Sequence, residues 1–178
     1  MAAMRKLFFG IILVATVSDL ATKVIAFRSL GHPDRVQPPP RKVEVIPGVV
    51  RFETALNKGV AFGMLNDAGA RWALAGVSAI AFPLIVFFFL RQKAPTWAFT
   101  AGLAGIAGGT LGNLYDRAVI GQVRDFIYFY CINFPVFNVA DSFICVGAAI
   151  FALEHFLAPQ KEDAKSDADA AAKAETPA

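Results

Sequence analysis

Charge is scarce in this chain. Of its 178 residues only 17% are Asp, Glu, Lys or Arg, while 56% are hydrophobic. A water-soluble domain of this size carries more charge, so the composition excludes an ordinary soluble fold. Histidine and cysteine are scarcer still, with two of each. His32 lies in the turn-like Gly31-His32-Pro33-Asp34 and His155 near the end of the last apolar run, and no HExxH pattern joins them. That inventory offers no zinc-hydrolase ligand set, so no metal and no other cofactor is expected. Cys131 falls in a polar connection and Cys145 inside an apolar run. At different depths they are not expected to pair, and Cys145 reads as a buried free thiol. No glycine-rich loop ends in Gly-Lys-Ser or Gly-Lys-Thr, which excludes the common phosphate cradle. Ser142 has no evident histidine or lysine base at its depth. The net charge of +3 is small and sits at the ends of apolar runs. No nucleic acid partner is expected; anionic lipid headgroups are the natural neighbours.

What the chain does have is long apolar runs. Residues 7–25, 72–90, 97–114 and 137–157 are each long enough to cross about 30 Å of hydrocarbon. They predict one four-helix membrane domain over residues 1–158, followed by a charged, solvated and disordered tail over 159–178. Arg5, Lys6 and the apolar run after them imitate a secretory signal peptide. No small-x-small cleavage site follows, and the run continues into Ser18-Asp19-Leu20-Ala21-Thr22-Lys23, which reads as an uncleaved membrane helix. Asp19 and Lys23, four apart, can pair on one helix face in a structural role, tying the first helix to the surface loop. The short connection 91–95 makes the second and third helices antiparallel neighbours. In the third run Gly105 and Gly109, and Gly108 and Gly112, follow the small-xxx-small pattern that lets helices approach closely, within the chain or between copies. The long connection after the first helix holds two alternating segments, Val43-Glu44-Val45-Ile46 and Val49-Val50-Arg51-Phe52-Glu53-Thr54, around Pro47-Gly48. They predict a hairpin at the membrane surface. Basic residues flank the spans on both sides, so the positive-inside rule leaves orientation open. An even number of spans puts both termini on one side.

Two carboxylates stand where a membrane protein has no ordinary need for them. Asp125 follows the third span and precedes the apolar Phe126-Ile127-Tyr128-Phe129-Tyr130, and Asp141 opens the fourth. Acids beside lipid are costly and mark function. Each also has a plainer reading. Asn138 is a good N-cap that places Asp141 at N3, so Asp141 could simply complete a capping box. Asp125 could be a solvated loop acid paired with Arg124. If the two meet, one carboxyl is pushed toward its protonated form and the pair shares a proton. One member can then take a proton from water while the other protonates the departing group.

Five segments, read together, resemble the lipoprotein signal peptidases, the signal peptidase II family. They are Asp19-Leu20-Ala21-Thr22-Lys23, Asn57-Lys58-Gly59-Val60-Ala61-Phe62-Gly63, Gly108-Gly109-Thr110-Leu111-Gly112-Asn113-Leu114-Tyr115-Asp116-Arg117, Val123-Arg124-Asp125-Phe126 and Phe137-Asn138-Val139-Ala140-Asp141-Ser142. The resemblance runs from about residue 5 to 157. It implies an all-α membrane protein with four transmembrane helices and a small surface β-sheet in the first extracytoplasmic connection. It also implies an aspartic endopeptidase of the bacterial cytoplasmic (inner) membrane, with both termini cytoplasmic and the site near the outer face. The implied substrate is a diacylglyceryl-modified prolipoprotein, cut just before its lipidated cysteine, with membrane lipid as the other partner. The catalytic pair maps onto Asp125 and Asp141. Asn57, Gly59, Asn113, Arg117, Asn138 and Ala140 map onto substrate-binding or site-supporting positions.

Two other classes of function compete. A small transporter or proton relay would explain membrane carboxylates. It would not explain the hairpin-bearing loop, nor acids at helix ends instead of mid-span. A passive assembly factor leaves the pair of acids unexplained.

Overall fold

The computed structural model describes residues 1–59 and 68–157. The tail expected over 159–178, and Val60 to Gly63 of the second motif, lie outside the described residues. Four helices carry the fold: α1 (Ala2–Leu30), α2 (Ala68–Arg91), α3 (Trp97–Val119) and α4 (Val139–Leu157). Three of them, over Ala2–Leu30, Trp72–Arg91 and Val139–Phe156, are long and apolar enough to cross a membrane. Their outward residues, such as Leu13, Ile80, Phe87 and Leu153, are exposed, as expected of surfaces that face lipid. Helices α1 and α3 outrun the apolar windows 7–25 and 97–114, because a helix continues through polar residues that end a hydrophobic run.

Helix α3 is the hub. It packs against α1, α2 and α4, and its glycines set how close they come. A Cβ on Gly109 would sit 2.3 Å from the Ala140 carbonyl oxygen, and one on Gly105 3.1 Å from that of Phe143. On the other face, a Cβ on Gly108 would meet the Ala15 Cβ at 2.6 Å. Both small-residue rows are therefore used inside the chain, one against α4 and one against α1. Toward the other end of the bundle, Phe8 stacks on Phe89 with ring centroids 3.8 Å apart, over Leu103, Ala104 and Ala107.

The predicted hairpin forms, as β1 (Val43–Ile46) and β2 (Val50–Asn57). A third strand, β3 (Val123–Phe129), adds antiparallel to β2, giving the order β1-β2-β3. The sequence reading left these residues as an apolar run beside the membrane. Their β-branched and aromatic content is what suits them to a pleated, half-buried surface. The sheet rests on the end of α1 through Ala26, Leu30, Phe126 and Phe52, and the Thr54 hydroxyl donates to the Gly31 carbonyl at 2.8 Å. After β3 the chain doubles back. Phe126 and Ile127 N–H groups donate to the Phe137 carbonyl at 3.0 and 2.9 Å, and Phe137 N–H donates to the Ile127 carbonyl at 3.0 Å. This pairing delivers the start of α4 to the middle of β3.

Candidate active site

Successive strand residues point to opposite faces, so Arg124 and Asp125 diverge. Asp125 turns inward and is 1% exposed. Arg124 turns to Asp116, with Nη2 2.7 Å from Oδ1 and its backbone N–H donating to Oδ2 at 3.0 Å. The Arg124–Asp125 pair considered from the sequence is not what forms; strand alternation forbids it.

Asn138 joins the two candidate acids. Its side-chain N–H donates to Asp125 Oδ1 at 2.6 Å, and its backbone N–H donates to Asp141 Oδ2 at 3.1 Å. Asp141 N–H returns a bond to Asn138 Oδ1 at 3.0 Å. The reciprocal capping box thus exists, and it also brings the two carboxyls onto one residue. Asn113, from α3, donates to Asp141 Oδ1 at 2.8 Å and accepts from Asn138 Nδ2 at 3.1 Å. Asn57, at the end of β2, hydrogen-bonds Asp125.

These surroundings raise the Asp125 carboxyl from its ordinary 3.8 to about 7. Burial is the main cause, and the charge of Asp141 adds to it. Hydrogen bonds from Asn138 and Asn57 and the charge of Lys23 act the other way. Near neutral pH the pair is placed to hold one proton between two carboxyls.

Asp141 stands on the wall of a groove of about 740 Å³. The groove is polar at Asn57, Asp141 and Ser142 and apolar elsewhere, lined by Phe129, Phe134 and Phe137 and, from α4, by Cys145 and Val146. Cys145 is free and exposed, not buried as the sequence suggested, because this face of α4 lines the groove. Gly59 has φ +110°, and its N–H donates to Asn57 Oδ1 at 2.9 Å, which holds the turn after β2. A Cβ there would lie 2.4 Å from Leu74 Cδ1, so only glycine suits the position. Arg117 is within electrostatic reach of Asp141, Asp125 and Asp116, and its Nε makes no hydrogen bond among the described residues.

Beneath the pair lies a buried ionic cluster. Lys23 Nζ is 2.7 Å from Asp19 Oδ2, 3.3 Å from Asp116 Oδ2 and 3.0 Å from Asn113 Oδ1. Asp19 Oδ1 accepts from the Ala140 N–H at 2.9 Å. The i, i+4 pair forms as its spacing predicts, but its partners belong to α3 and α4, not to the surface loop. Helix α1 turns these polar residues toward the hub because the fold supplies them with charge and amide partners there. Ala140 is wholly buried and contributes its backbone N–H. The sequence reading assigned nothing to Asp116 or to Arg124 as partners of this cluster. Their signals were the pairing of acid and base in Asp116-Arg117 and Arg124-Asp125 and their place inside two of the segments that carry the family resemblance.

Apolar helices, a surface sheet and two carboxyls brought together where the sheet meets the last helix define a membrane protein with an aspartic-type acid pair. The comparisons with known proteins narrow that class. The family described as Signal peptidase (SPase) II matches residues 11–157. The lipoprotein signal peptidase of Sulfurihydrogenibium sp. (strain YO3AOP1) is 39% identical over 150 residues, covering 81% of this chain and 87% of that protein. That of Serratia proteamaculans (strain 568) is 46% identical over 116 residues, covering 63% and 69%. A solved structure described as a bacterial membrane enzyme, at 2.3 Å resolution, superposes with a TM-score of 0.73 and 27% identity, covering 87% of this chain and 92% of that one. The chain belongs to the signal peptidase II family. Its activity is proteolytic, the removal of lipoprotein signal peptides, and the transporter reading is set aside.

Proposed function

We propose that Asp125 and Asp141 are the catalytic pair of this protease, acting on a prolipoprotein whose cysteine already carries a diacylglyceryl group. The observation that carries the reading is the double attachment of Asn138, which donates one hydrogen bond to each carboxyl. Asp141, on the groove wall, takes a proton from water as the water oxygen attacks the scissile carbonyl carbon. Asp125, protonated near neutral pH, gives its proton to the carbonyl oxygen. The tetrahedral diol then collapses. The C–N bond breaks, the proton on Asp141 passes to the departing cysteine nitrogen, and Asp125 recovers a proton from a diol hydroxyl. No metal enters any step. Arg117 and Asn57 border the reacting groups and hydrogen-bond the substrate backbone. Gly59 shapes the turn beside them, while Asn113, Asn138 and Ala140 support the pair from behind.

The same reading places the chain in the bacterial inner membrane with four spans, α3 being the fourth, enclosed by its neighbours. Both termini are cytoplasmic, and the sheet and groove lie at the outer face, where surrounding lipid also meets the substrate's acyl chains. The test is processing by purified enzyme of two precursors, one lipid-modified and one not, alongside Asp125→Asn and Asp141→Asn. Cleavage of the modified precursor alone, abolished in each folded variant, is expected. Undiminished cleavage by either variant removes that residue from the mechanism, and equal cleavage of both precursors removes the lipid requirement.

A further inference from the structure

Lys23 is wholly buried in a cluster that balances without the catalytic pair: Asp19 and Asp116 against Lys23 and Arg124. One N–H is donated to Asp19 Oδ2 at 2.7 Å, and Asp116 Oδ2 stands 3.3 Å away as a second ion-pair partner. Another N–H goes to a neutral acceptor, Asn113 Oδ1, at 3.0 Å. An ammonium has no acceptor, so this contact fixes which end of the Asn113 amide faces it. The oxygen must point to Lys23, and the NH₂ is thereby turned to Asp141 Oδ1 at 2.8 Å. The same oxygen also accepts from Asn138 Nδ2, whose other hydrogen goes to Asp125 Oδ1. One ammonium therefore orients two amides, and each amide hands one N–H to one carboxyl.

Building on the catalytic reading of Asp125 and Asp141, we infer that Lys23 is a positioning residue. Acting through Asn113 and Asn138, it fixes the rotation of both catalytic carboxyls: one amide N–H reaches Asp141 Oδ1, whose Oδ2 accepts the Asn138 backbone N–H, and the other amide N–H reaches Asp125 Oδ1. Nothing in this role requires Lys23 to touch substrate. The charged groups around it are Asp19 on α1, Asp116 and Arg117 on α3, Arg124 and Asp125 on β3, and Asp141 on α4.

The experiment uses full-length protein in detergent or nanodiscs. Lys23→Met alone strands two buried carboxylates, so it is paired with the double variant Lys23→Met/Asp19→Asn. The double change removes a neutral ion pair and keeps an oxygen facing the Ala140 N–H. In the folded double variant kcat is expected to fall about 10- to 100-fold, the range for residues that orient reacting groups from behind. KM for a lipidated precursor is expected to stay within about threefold. The alkaline limb of the rate profile is expected to move to higher pH, since a cation near Asp125 has gone. A lower unfolding temperature with kcat and the limb unchanged would make Lys23 a structural residue only and overturn the inference. The unmutated protein gives a second reading that needs no variant to fold. The side-chain amide protons of Asn113 are expected to exchange slowly and to shift as the pair titrates; fast exchange and no shift would sink the proposal. Asp141→Asn run in parallel separates the two readings. If it remains active, the catalytic assignment has failed. If it is dead while the double variant keeps its kcat, only the inference about Lys23 has failed.

Discussion

Asp19 and Ala140 lie 121 positions apart, yet the Asp19 carboxylate accepts the Ala140 N–H at 2.9 Å. That contact ties the first helix to the opening turn of the last. Gly112 makes room for it, since a Cβ there would sit 2.5 Å from Asp19 Oδ2. Asp19→Ala breaks the ion pair with Lys23 and leaves an uncompensated charge in the interior. We expect a loss of about 3–5 kcal/mol, read as a lower thermal midpoint of the detergent-solubilised protein. A midpoint within a degree of the parent would show that this cluster does not hold the bundle together.

The elevated Asp125 carboxyl predicts two opposite uses of pH. In the folded chain it holds its proton up to about 7, against an ordinary 3.8. Folding therefore binds a proton between those values, and stability falls as pH rises through that window. The contribution is whole below 3.8 and gone above about 7. Asp125→Asn removes the titration, so its unfolding midpoint is expected to lose this slope and, at pH 8, to match or exceed the parent's. The rate of the unmodified enzyme is expected to fall above about 7 as the pair loses its shared proton. That limb belongs to the pair, not to one residue.

Glycine placement on α3 gives a sharp contrast. Gly109→Ala drives a methyl to 2.3 Å from a backbone oxygen of α4, whereas a Cβ on Gly76 of α2 meets nothing within 4 Å. Gly109→Ala is expected to cost about 1–3 kcal/mol and to depress processing by shifting Asn113 and Ala140 apart. Gly76→Ala is expected to be silent. Unfolding midpoints and turnover of the two variants, compared side by side, decide it.

Cys145 lies one helical turn from Asp141 on the groove wall. In a Cys131→Ser background, alkylation of Cys145 with a membrane-permeant maleimide is expected to slow processing severalfold, and substrate is expected to protect against labelling. Full activity at complete labelling would place the substrate elsewhere.

Much of this architecture was legible before any coordinates. Apolar length marked all four helices, and the Pro47-Gly48 turn between alternating segments marked the hairpin. Asn138 and Asp141, three apart, announced their own capping box. The third strand was not legible, because Phe126-Ile127-Tyr128-Phe129 beside a membrane span suits a bilayer surface as well as a sheet. Its partner β2 lies some 70 residues earlier, a pairing no local pattern reports. The buried cluster was half legible. Helical spacing gave Asp19 with Lys23, but their contact with Asp116, and Asp116's with Arg124, depends on α1, α3 and β3 meeting in space.

The groove follows α4 from Asp141 at its first turn to Val146 farther down the helix. Five residues of helix measure about 7.5 Å along the axis. With the substrate's acyl chains held in lipid as proposed above, a wall of that kind would work as a depth gauge: a peptide bond would come level with Asp141 only when the anchored part of its chain sits at one particular height. Selection of the bond to be cut would then owe as much to how far the substrate is sunk as to which side chains flank it.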